Sequence, residues 1–270
     1  TWHLDPMTGD FGYYARGTRT VIDTEHSPML EPLLDAELRK TREDLRAGLT
    51  AGLSYQAAAG DTKADAWPGV GEPEPLYRKV RGFNLRYDAP TFFQANGLLL
   101  ETMIDEALWM VKEGGASNEA KTALDLYAGV GFFSLPLSDY FGQVLAVEFD
   151  ERAVTHGKRN ISSSHRRNVT MNKISTDRFF QDQQKAARRA AFVLVDPPRT
   201  GLETMTRTGI IEAGIPEVTY VSCDATTLAR DLKILVDGGY AIERVVPIDQ
   251  FLWSPRIEAI AMLRRPTQRR

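Results

Sequence analysis

The chain has 270 residues, 43% of them hydrophobic and 26% charged, with a formal net charge of -3 and one cysteine. That length suits one full domain plus a smaller piece, and the single cysteine excludes an intrachain disulfide and a cysteine-rich metal or iron-sulfur site. The charge supplies no global field for nucleic acid, so any RNA must meet a local patch. No apolar run reaches the ~18 residues of a membrane span. No charged-then-apolar leader opens the chain, whose first residues read as mid-chain sequence, and the cytoplasm is the expected compartment.

Phe11 to Asp23 alternates bulky and polar residues around Arg16-Gly17-Thr18, which predicts a β-hairpin turning at Gly17. His26-Ser27-Pro28 breaks that pattern. From Glu31 to about Gly48, Leu33, Leu34, Leu38 and Leu45 share one face at helical spacing, with Arg39, Lys40, Glu43 and Asp44 around the rest, which predicts an amphipathic helix. Ala57 to Pro75 is rich in Gly, Pro, Ala and Asp and has little periodicity, so it reads as a long irregular connection with Trp67 as its anchor. Val80 to Tyr87 returns to strand. Pro90 to Asn96 is an irregular apolar segment leading into a helix from about Gly97 to Glu113.

Beyond Lys121 the sequence becomes regular. Strands are expected at Ala123 to Tyr127, Val144 to Glu148, Val169 to Ile174, Ala191 to Val195 and Val218 to Ser222. Helical runs separate them at Phe132 to Tyr140, Glu151 to Asn160 and Asp177 to Arg189, and another follows Cys223. Alternation at this rhythm argues for an α/β fold with a doubly wound parallel sheet. Tyr240 to Asp249 and Ile257 to Leu263 read as a closing antiparallel pair. We place a small N-terminal α+β segment at residues 1–88 and the larger domain at residues 89–270.

In such a sheet, ligands bind at the carboxyl ends of the strands where the strand order reverses. Asp125, Glu148, Asp196 and Cys223 all fall at or near such ends. Asp125 with Gly129 and Gly131 forms D-x-x-x-G-x-G after a strand, in which glycines let the backbone approach a ligand closely. Taken alone, that is also the signature of a tight strand-to-helix turn. Glu148 follows Asp125 by 23 residues, the spacing at which an acidic side chain accepts hydrogen bonds from ribose hydroxyls. Ser134 stands where a third glycine would complete a dinucleotide fingerprint, which tilts the reading toward S-adenosylmethionine, a cofactor with no pyrophosphate to cradle. A lone cysteine most often packs as a small hydrophobe. Cys223, however, lies where a buried strand turns into a helix, and helix N-termini favour anions such as a thiolate.

Three ordered segments carry a resemblance: Leu124-Asp125-Leu126-Tyr127-Ala128-Gly129-Val130-Gly131-Phe132-Phe133-Ser134, Val195-Asp196-Pro197-Pro198-Arg199-Thr200-Gly201, and Tyr220-Val221-Ser222-Cys223 through Arg230-Asp231. Together with Phe92-Phe93-Gln94-Ala95-Asn96, a match to F-F-Q-x-N, they resemble the RNA uracil-C5 methyltransferases that make 5-methyluridine in tRNA and rRNA. The resemblance implies a Rossmann-like class I methyltransferase fold, with residues 89–270 catalytic and residues 1–88 on the RNA-binding side. It implies S-adenosyl-L-methionine as methyl donor and an RNA substrate whose uridine is single-stranded or flipped from its stack. By similarity, Gln94, Tyr127, Gly129, Glu148 and Asp196 line the cofactor and uracil pocket, with Glu148 on the ribose and Asp196 and Gln94 at the reacting end. Asp125 is then a brace on the glycine turn. Phe92 or Phe93 is expected either to stack on the target base or to pack in the core, and Arg199 either to orient Asp196 or to meet a phosphate.

Carbon 5 of uracil is a poor nucleophile, and a thiolate adding to C6 activates it as an enolate. Cys223 is the expected nucleophile. The C5 hydrogen must then leave as a proton, and Glu258, on an otherwise apolar strand, is the base that the resemblance assigns. Desolvation there should raise its pKa.

The sequence departs from the family at several points. The N-terminal barrel and the four cluster-binding cysteines are missing, with Ser27 where cluster-bearing members carry a cysteine, so neither an iron-sulfur cluster nor a metal is expected, and the chain reads as truncated or natively short. Asp224-Ala225 replaces the usual Asn-Pro, and Arg256 a frequent histidine. Basic candidates for an RNA path are His165-Arg166-Arg167, then Lys185, Arg188 and Arg189, and the tail Arg264, Arg265, Arg269 and Arg270. Two rival readings are RNA cytosine-C5 methylation, disfavoured by the lack of a second cysteine beside Asp196-Pro197-Pro198-Arg199, and a non-catalytic RNA-binding protein, disfavoured by the presence of both Cys223 and Glu258.

Overall fold

The computed structural model describes residues 1–113, 118–251 and 254–266. The chain divides into two compact units, residues 1–79 with 84–93, and residues 80–83 with the chain from Gln94 onward. In the first, an antiparallel sheet of order β3-β2-β1-β4-β5 is built from β1 (Trp2–Leu4), β2 (Phe11–Tyr14), β3 (Val21–Asp23), β4 (Ser54–Ala59) and β5 (Ala64–Trp67). Helix α1 (Pro32–Arg46) begins on a proline, whose fixed φ suits the first turn, and buries Leu38 against Trp2, Phe11 and Tyr55. Each such fully buried side chain contributes about 1.5–3 kcal/mol. Leu34 and Leu45 pack beside that core, whereas Leu33, expected on the same face, is exposed.

Two expectations fail in this unit. The connection from Ala57 to Pro75 is partly strand, because Ala57 and Ala66 face the core as a cross-strand pair while Gln56 and Asp65 alternate with them. Alanines are too small to show that alternation in the sequence. Val80 to Tyr87 is not one strand but the turn and second arm of a hairpin, β6 (Leu76–Val80) and β7 (Phe83–Tyr87). Arg81 (φ 51) and Gly82 (φ 81) supply the two left-handed residues that a tight hairpin turn requires.

The second unit opens with a 3₁₀ turn at Gly97–Leu99, α2 (Leu100–Ala107) and α3 (Trp109–Glu113), the expected single helix being broken at Leu108. There follow β8 (Asn118–Leu126), α4 (Ser134–Leu137), β9 (Phe141–Glu148), α5 (Glu151–Ser163) and β10 (Val169–Lys173). Next come α6 (Thr176–Asp182), α7 (Gln184–Ala187), β11 (Ala190–Val195) and α8 (Thr204–Ala213). The chain closes with β12 (Glu217–Ser222), α9 (Ala225–Asp237), β13 (Ala241–Ile248) and β14 (Glu258–Arg264). The helix expected over Asp177 to Arg189 is split at Gln183, and α8 fills a stretch to which no element was assigned.

These strands form one sheet of order β10-β9-β8-β11-β12-β14-β13, parallel from β10 to β12, with β14 antiparallel to both its neighbours. Residues 192–195 of β11 and 218–222 of β12 are buried throughout, which is why these strands read as continuous apolar runs. The strand order reverses between β8 and β11, and such a reversal opens a crevice at the carboxyl edge.

Candidate active site

Register decides what that edge presents. Val195 pairs with both Leu126 and Tyr220, so Tyr127 and Asp196 follow directly on two neighbouring strand ends. Glu148 closes β9 opposite Lys173. Because β14 runs against β12, its start lies at the carboxyl end of β12. Ser222 pairs with Ala259, and one step further along the ladder brings Cys223 opposite Glu258. On its other side Glu258 pairs with Ile248 of β13.

The β8 and β9 half is built on backbone. Gly129 (φ 53) and Gly131 (φ 90) lie in the left-handed region, and a Cβ placed on Gly129 would meet no atom within 4 Å. The turn is therefore an open cradle that a side chain would intrude upon. Glu148 Oε2 accepts the Gly129 N–H at 2.8 Å, and Oε1 accepts those of Phe149 (2.7 Å) and Asp150 (2.8 Å). Asp125 is fully buried, and its Oδ2 accepts the Ser134 hydroxyl, so the serine in the third glycine's place ties the start of α4 to the strand end. Its Oδ1 has no partner among the described residues. Burial, only partly offset by Ser134, pushes the Asp125 carboxyl up to about 7, with the charges of Asp196 and Glu148 adding to the shift. Tyr127 holds a left-handed backbone (φ 62) that carries the chain into the glycine turn. Its hydroxyl donates to Glu203 and accepts from Thr176 Oγ1 at 3.1 Å, so it offers the edge backbone and ring rather than a free phenol.

The β11, β12 and β14 half is built on side chains. Asp196 Oδ2 accepts from Gln94 Nε2 at 2.9 Å, and burial pushes its carboxyl up to about 7 against that bond. Glu258 is 3% exposed, and no donor among the described residues meets its carboxyl. Burial and the neighbouring Asp196 charge raise it to about 8. Cys223 is half-buried, and burial followed by the Glu258 charge raises its thiol, with the Arg199 charge opposing and the Asp196 charge raising it further. Cysteine, glutamate and aspartate thus meet at neighbouring strand ends.

The structure corrects two details of the sequence reading. The first free N–H groups of α9 do not serve the thiol, because Asp224 caps the helix and takes those of Thr226 (3.0 Å) and Thr227 (2.9 Å). Aspartate and asparagine cap equally well, so the Asp224 departure keeps this turn intact. No hydrogen bond or ion pair joins Arg199 to Asp196 among the described residues, and the partner of Asp196 is Gln94. In the N-terminal unit Phe93 stacks on Tyr87 at 4.2 Å, a packing role, while Phe92 is exposed.

Of the basic candidates, Arg264 pairs with Glu217, Arg265 bonds the Ile211 carbonyl and covers Tyr240, and Arg166 pairs with Asp139 over the Phe83 ring. Arg269 and Arg270 lie outside the described residues. Sequence reading passed over Phe149, an aromatic 73% exposed directly after Glu148, and Asp231, a buried carboxylate behind the Asp196 loop. An aromatic following an acidic strand end was the available signal for the first.

A model of the tRNA (Uracil-5-)-methyltransferase family matches residues 74–266, which include every residue of this convergence. The chain belongs to that family. It is 33% identical over 190 residues to an RNA methyltransferase of Aquifex aeolicus, an alignment covering 70% of this chain and 43% of that protein. Against the 23S rRNA (uracil(1939)-C(5))-methyltransferase RlmD of Pasteurella multocida it is 32% identical over 191 residues, 71% of this chain and 43% of that one. The chain thus spans about two-fifths of the length of these curated relatives. Among solved structures, the Pyrococcus abyssi tRNA (uracil-54, C5)-methyltransferase in complex with S-adenosyl-L-homocysteine superposes with a TM-score of 0.71 at 18% identity, covering 97% of this chain and 74% of that one. At that identity the likeness establishes a shared methyltransferase fold, in keeping with the Rossmann-like class I sheet expected from the sequence.

Proposed function

We propose that the protein methylates carbon 5 of uridine in tRNA or rRNA, with S-adenosyl-L-methionine as methyl donor and Cys223 as transient covalent catalyst. The observation that carries this reading is the meeting of Cys223 and Glu258 across the β12 and β14 ladder, beside Asp196. Membership of the family and the names of its relatives support the same reaction.

The edge fits the cofactor. The open glycine cradle leaves room for its backbone-bound part, the unpartnered Asp125 Oδ1 offers an acceptor behind it, and Glu148 Oε2, which accepts one N–H, retains a second lone pair for a ribose hydroxyl. Phe149, exposed directly after Glu148, is the aromatic we assign to the adenine ring. When bound, S-adenosyl-L-methionine supplies an electrophilic methyl group to the site.

The chain's own residues do the rest. Cys223 Sγ loses its proton to solvent and, as the thiolate, bonds to C6 of the uracil; the electron pair of the C5–C6 double bond moves onto C5 and O4 as an enolate, which is the nucleophile for the methyl group. Asp196 and Gln94 hold the base by its polar edge. Glu258 then removes the C5 proton, the C5–C6 double bond re-forms, and the Cys223 sulfur leaves. A carboxylate raised to about 8 suits this task, because it holds a proton tightly enough to pull one from carbon yet is ionised in part at neutral pH. Incubating the protein with methyl-labelled cofactor and mixed tRNA and 23S rRNA, followed by nucleoside mass spectrometry, tests the proposal. Labelled 5-methyluridine is expected. Labelled 5-methylcytidine, or no labelled nucleoside in either RNA, would overturn it.

A further inference from the structure

Tyr127 is the residue of the glycine turn that holds a left-handed backbone (φ 62) without being glycine. A Cβ makes that conformation unfavourable, whereas Gly129 and Gly131 in the same turn adopt it freely. The chain on either side is fixed. Leu126 ends the β8 ladder opposite Val147 and Val195, and the Ala128 N–H donates to the Val147 carbonyl at 3.0 Å. Further on, the Gly131 N–H donates to the Ala128 carbonyl at 2.8 Å and Asn160 Nδ2 to that of Val130 at 3.0 Å. Left to itself, Tyr127 would relax toward negative φ and re-aim the turn that follows it.

The side chain supplies the restraint that the backbone lacks. Its hydroxyl donates to Glu203 Oε2 and accepts from Thr176 Oγ1 at 3.1 Å, and Thr176 Oγ1 also lies 3.3 Å from Glu203 Oε2, so two hydroxyls and a carboxylate close a triangle. Thr206 Oγ1 lies 2.9 Å from Thr176 Oγ1 and 3.0 Å from Asp177 Oδ1, and the Thr206 N–H donates to that same aspartate oxygen at 3.0 Å. Thr176 opens α6 after β10, and Glu203 precedes α8 after β11, so the triangle ties together the chain that leaves three strand ends of the carboxyl edge. Thr176 and Thr206 are buried while Glu203 is exposed, which makes the glutamate the outermost member of the latch. Burial and then the Glu203 bond push the phenol up, so it keeps the proton that it donates.

We propose that Glu203 is a positioning residue for the cofactor: through its bond to the Tyr127 hydroxyl, and with Thr176 beside it, it holds the left-handed backbone from which the glycine cradle starts, and so sets the affinity for S-adenosyl-L-methionine. A bond with a merely structural role would stabilise the sheet as a whole. A positioning bond instead couples the order of residues 127–131 to cofactor affinity and leaves the remaining strands as they are. The inference rests on the cofactor part of the reading above and not on the chemistry of Cys223, so it can be tested without RNA.

Two measurements on the full chain decide it: calorimetry with S-adenosyl-L-homocysteine, and amide hydrogen exchange in the cofactor-free protein. Glu203→Ala should weaken binding by about three- to tenfold. It should also speed exchange of the Ala128 and Gly129 amides, which donate to Val147 and Glu148, while exchange in β11 and β12 keeps the parent rate. Glu203→Gln retains an acceptor oxygen and should restore most of the affinity. Tyr127→Phe removes the hydroxyl alone and should match Glu203→Ala, with the double variant no weaker than either single one. Because it deletes one oxygen, Tyr127→Phe decides the matter if Glu203→Ala does not fold. Parent-like affinity in these variants, a loss in Glu203→Gln equal to that in Glu203→Ala, additive losses in the double variant, or faster exchange throughout the sheet would each overturn the proposal. The expected pattern of affinities in a protein that forms no 5-methyluridine would instead leave the latch standing and remove the reaction.

Discussion

The two halves of the carboxyl edge treat a carboxylate in opposite ways. Glu148, at the end of β9, receives three backbone N–H groups within 2.8 Å, whereas Glu258, at the start of β14, is buried with no donor among the described residues and is raised to about 8. A group surrounded by fixed donors is held in place and suits binding. One that is desolvated and left short of donors is a reactive group. The difference separates holding a cofactor from moving a proton, although both side chains are glutamates at strand ends of one sheet.

Substitutions on the reactive half should have the largest effects. Cys223→Ala is expected to lower methylation by about 10⁴-fold or more while leaving affinity for S-adenosyl-L-homocysteine unchanged by calorimetry. A residual rate within about tenfold of the parent protein would remove the covalent route. Glu258→Gln should lower turnover by about 10²- to 10⁴-fold and leave protein attached to RNA on a denaturing gel, because methyl transfer outruns release. In the parent protein, release should slow about tenfold per pH unit below about 8, since the base works only after losing its proton. A release step flat from pH 6 to 8 would show another base at work.

On the binding half, Gly129→Ala combines an unfavourable left-handed alanine with a methyl group inside the cradle, so its affinity for S-adenosyl-L-homocysteine should fall by about tenfold or more with the RNA adduct still forming. Equal loss of both would erase the division of labour. A separate effect, on stability rather than activity, concerns Asp125, whose carboxyl is raised from 3.8 to about 7. The folded state holds that proton more tightly than the unfolded chain, so this contribution to stability is complete below about pH 4 and is lost as pH rises toward 7, at up to about 1.4 kcal/mol per pH unit. Asp125→Asn should therefore gain stability relative to the parent as pH rises from 5 to 7, in paired denaturant titrations. A constant difference would show that Asp125 is ionised throughout.

Much of this edge was legible in the sequence because strand ends there coincide with punctuation: Gly129 and Gly131 after β8, Pro197 after Asp196, and Asp224 before α9. Buried parallel strands also announce themselves as apolar runs, which placed β9, β11 and β12 to within a few residues. What stayed hidden was whatever depends on partners distant in the chain. The Gln94–Asp196 bond spans 102 positions, the one-step offset of Cys223 from Glu258 exists only once β14 inserts beside β12, and the donors to Asp231 come from Leu202, Arg207 and Tyr220 as well as its own helix. The strands β4 and β5 escaped because their inward residues are alanines, and the turn between β6 and β7 was read as strand, with β6 missed, because Arg81 occupies a left-handed position more often given to asparagine or glycine.

The most direct test of the central claim uses RNA in which 5-fluorouridine replaces uridine, since fluorine at C5 cannot be removed as a cation by a base and the adduct cannot resolve. With S-adenosyl-L-methionine present, the protein should become covalently linked to the RNA, and digestion should yield a methylated fluorouridine joined through the sulfur of Cys223. No adduct in either tRNA or 23S rRNA, or an adduct that persists in Cys223→Ala, would contradict it.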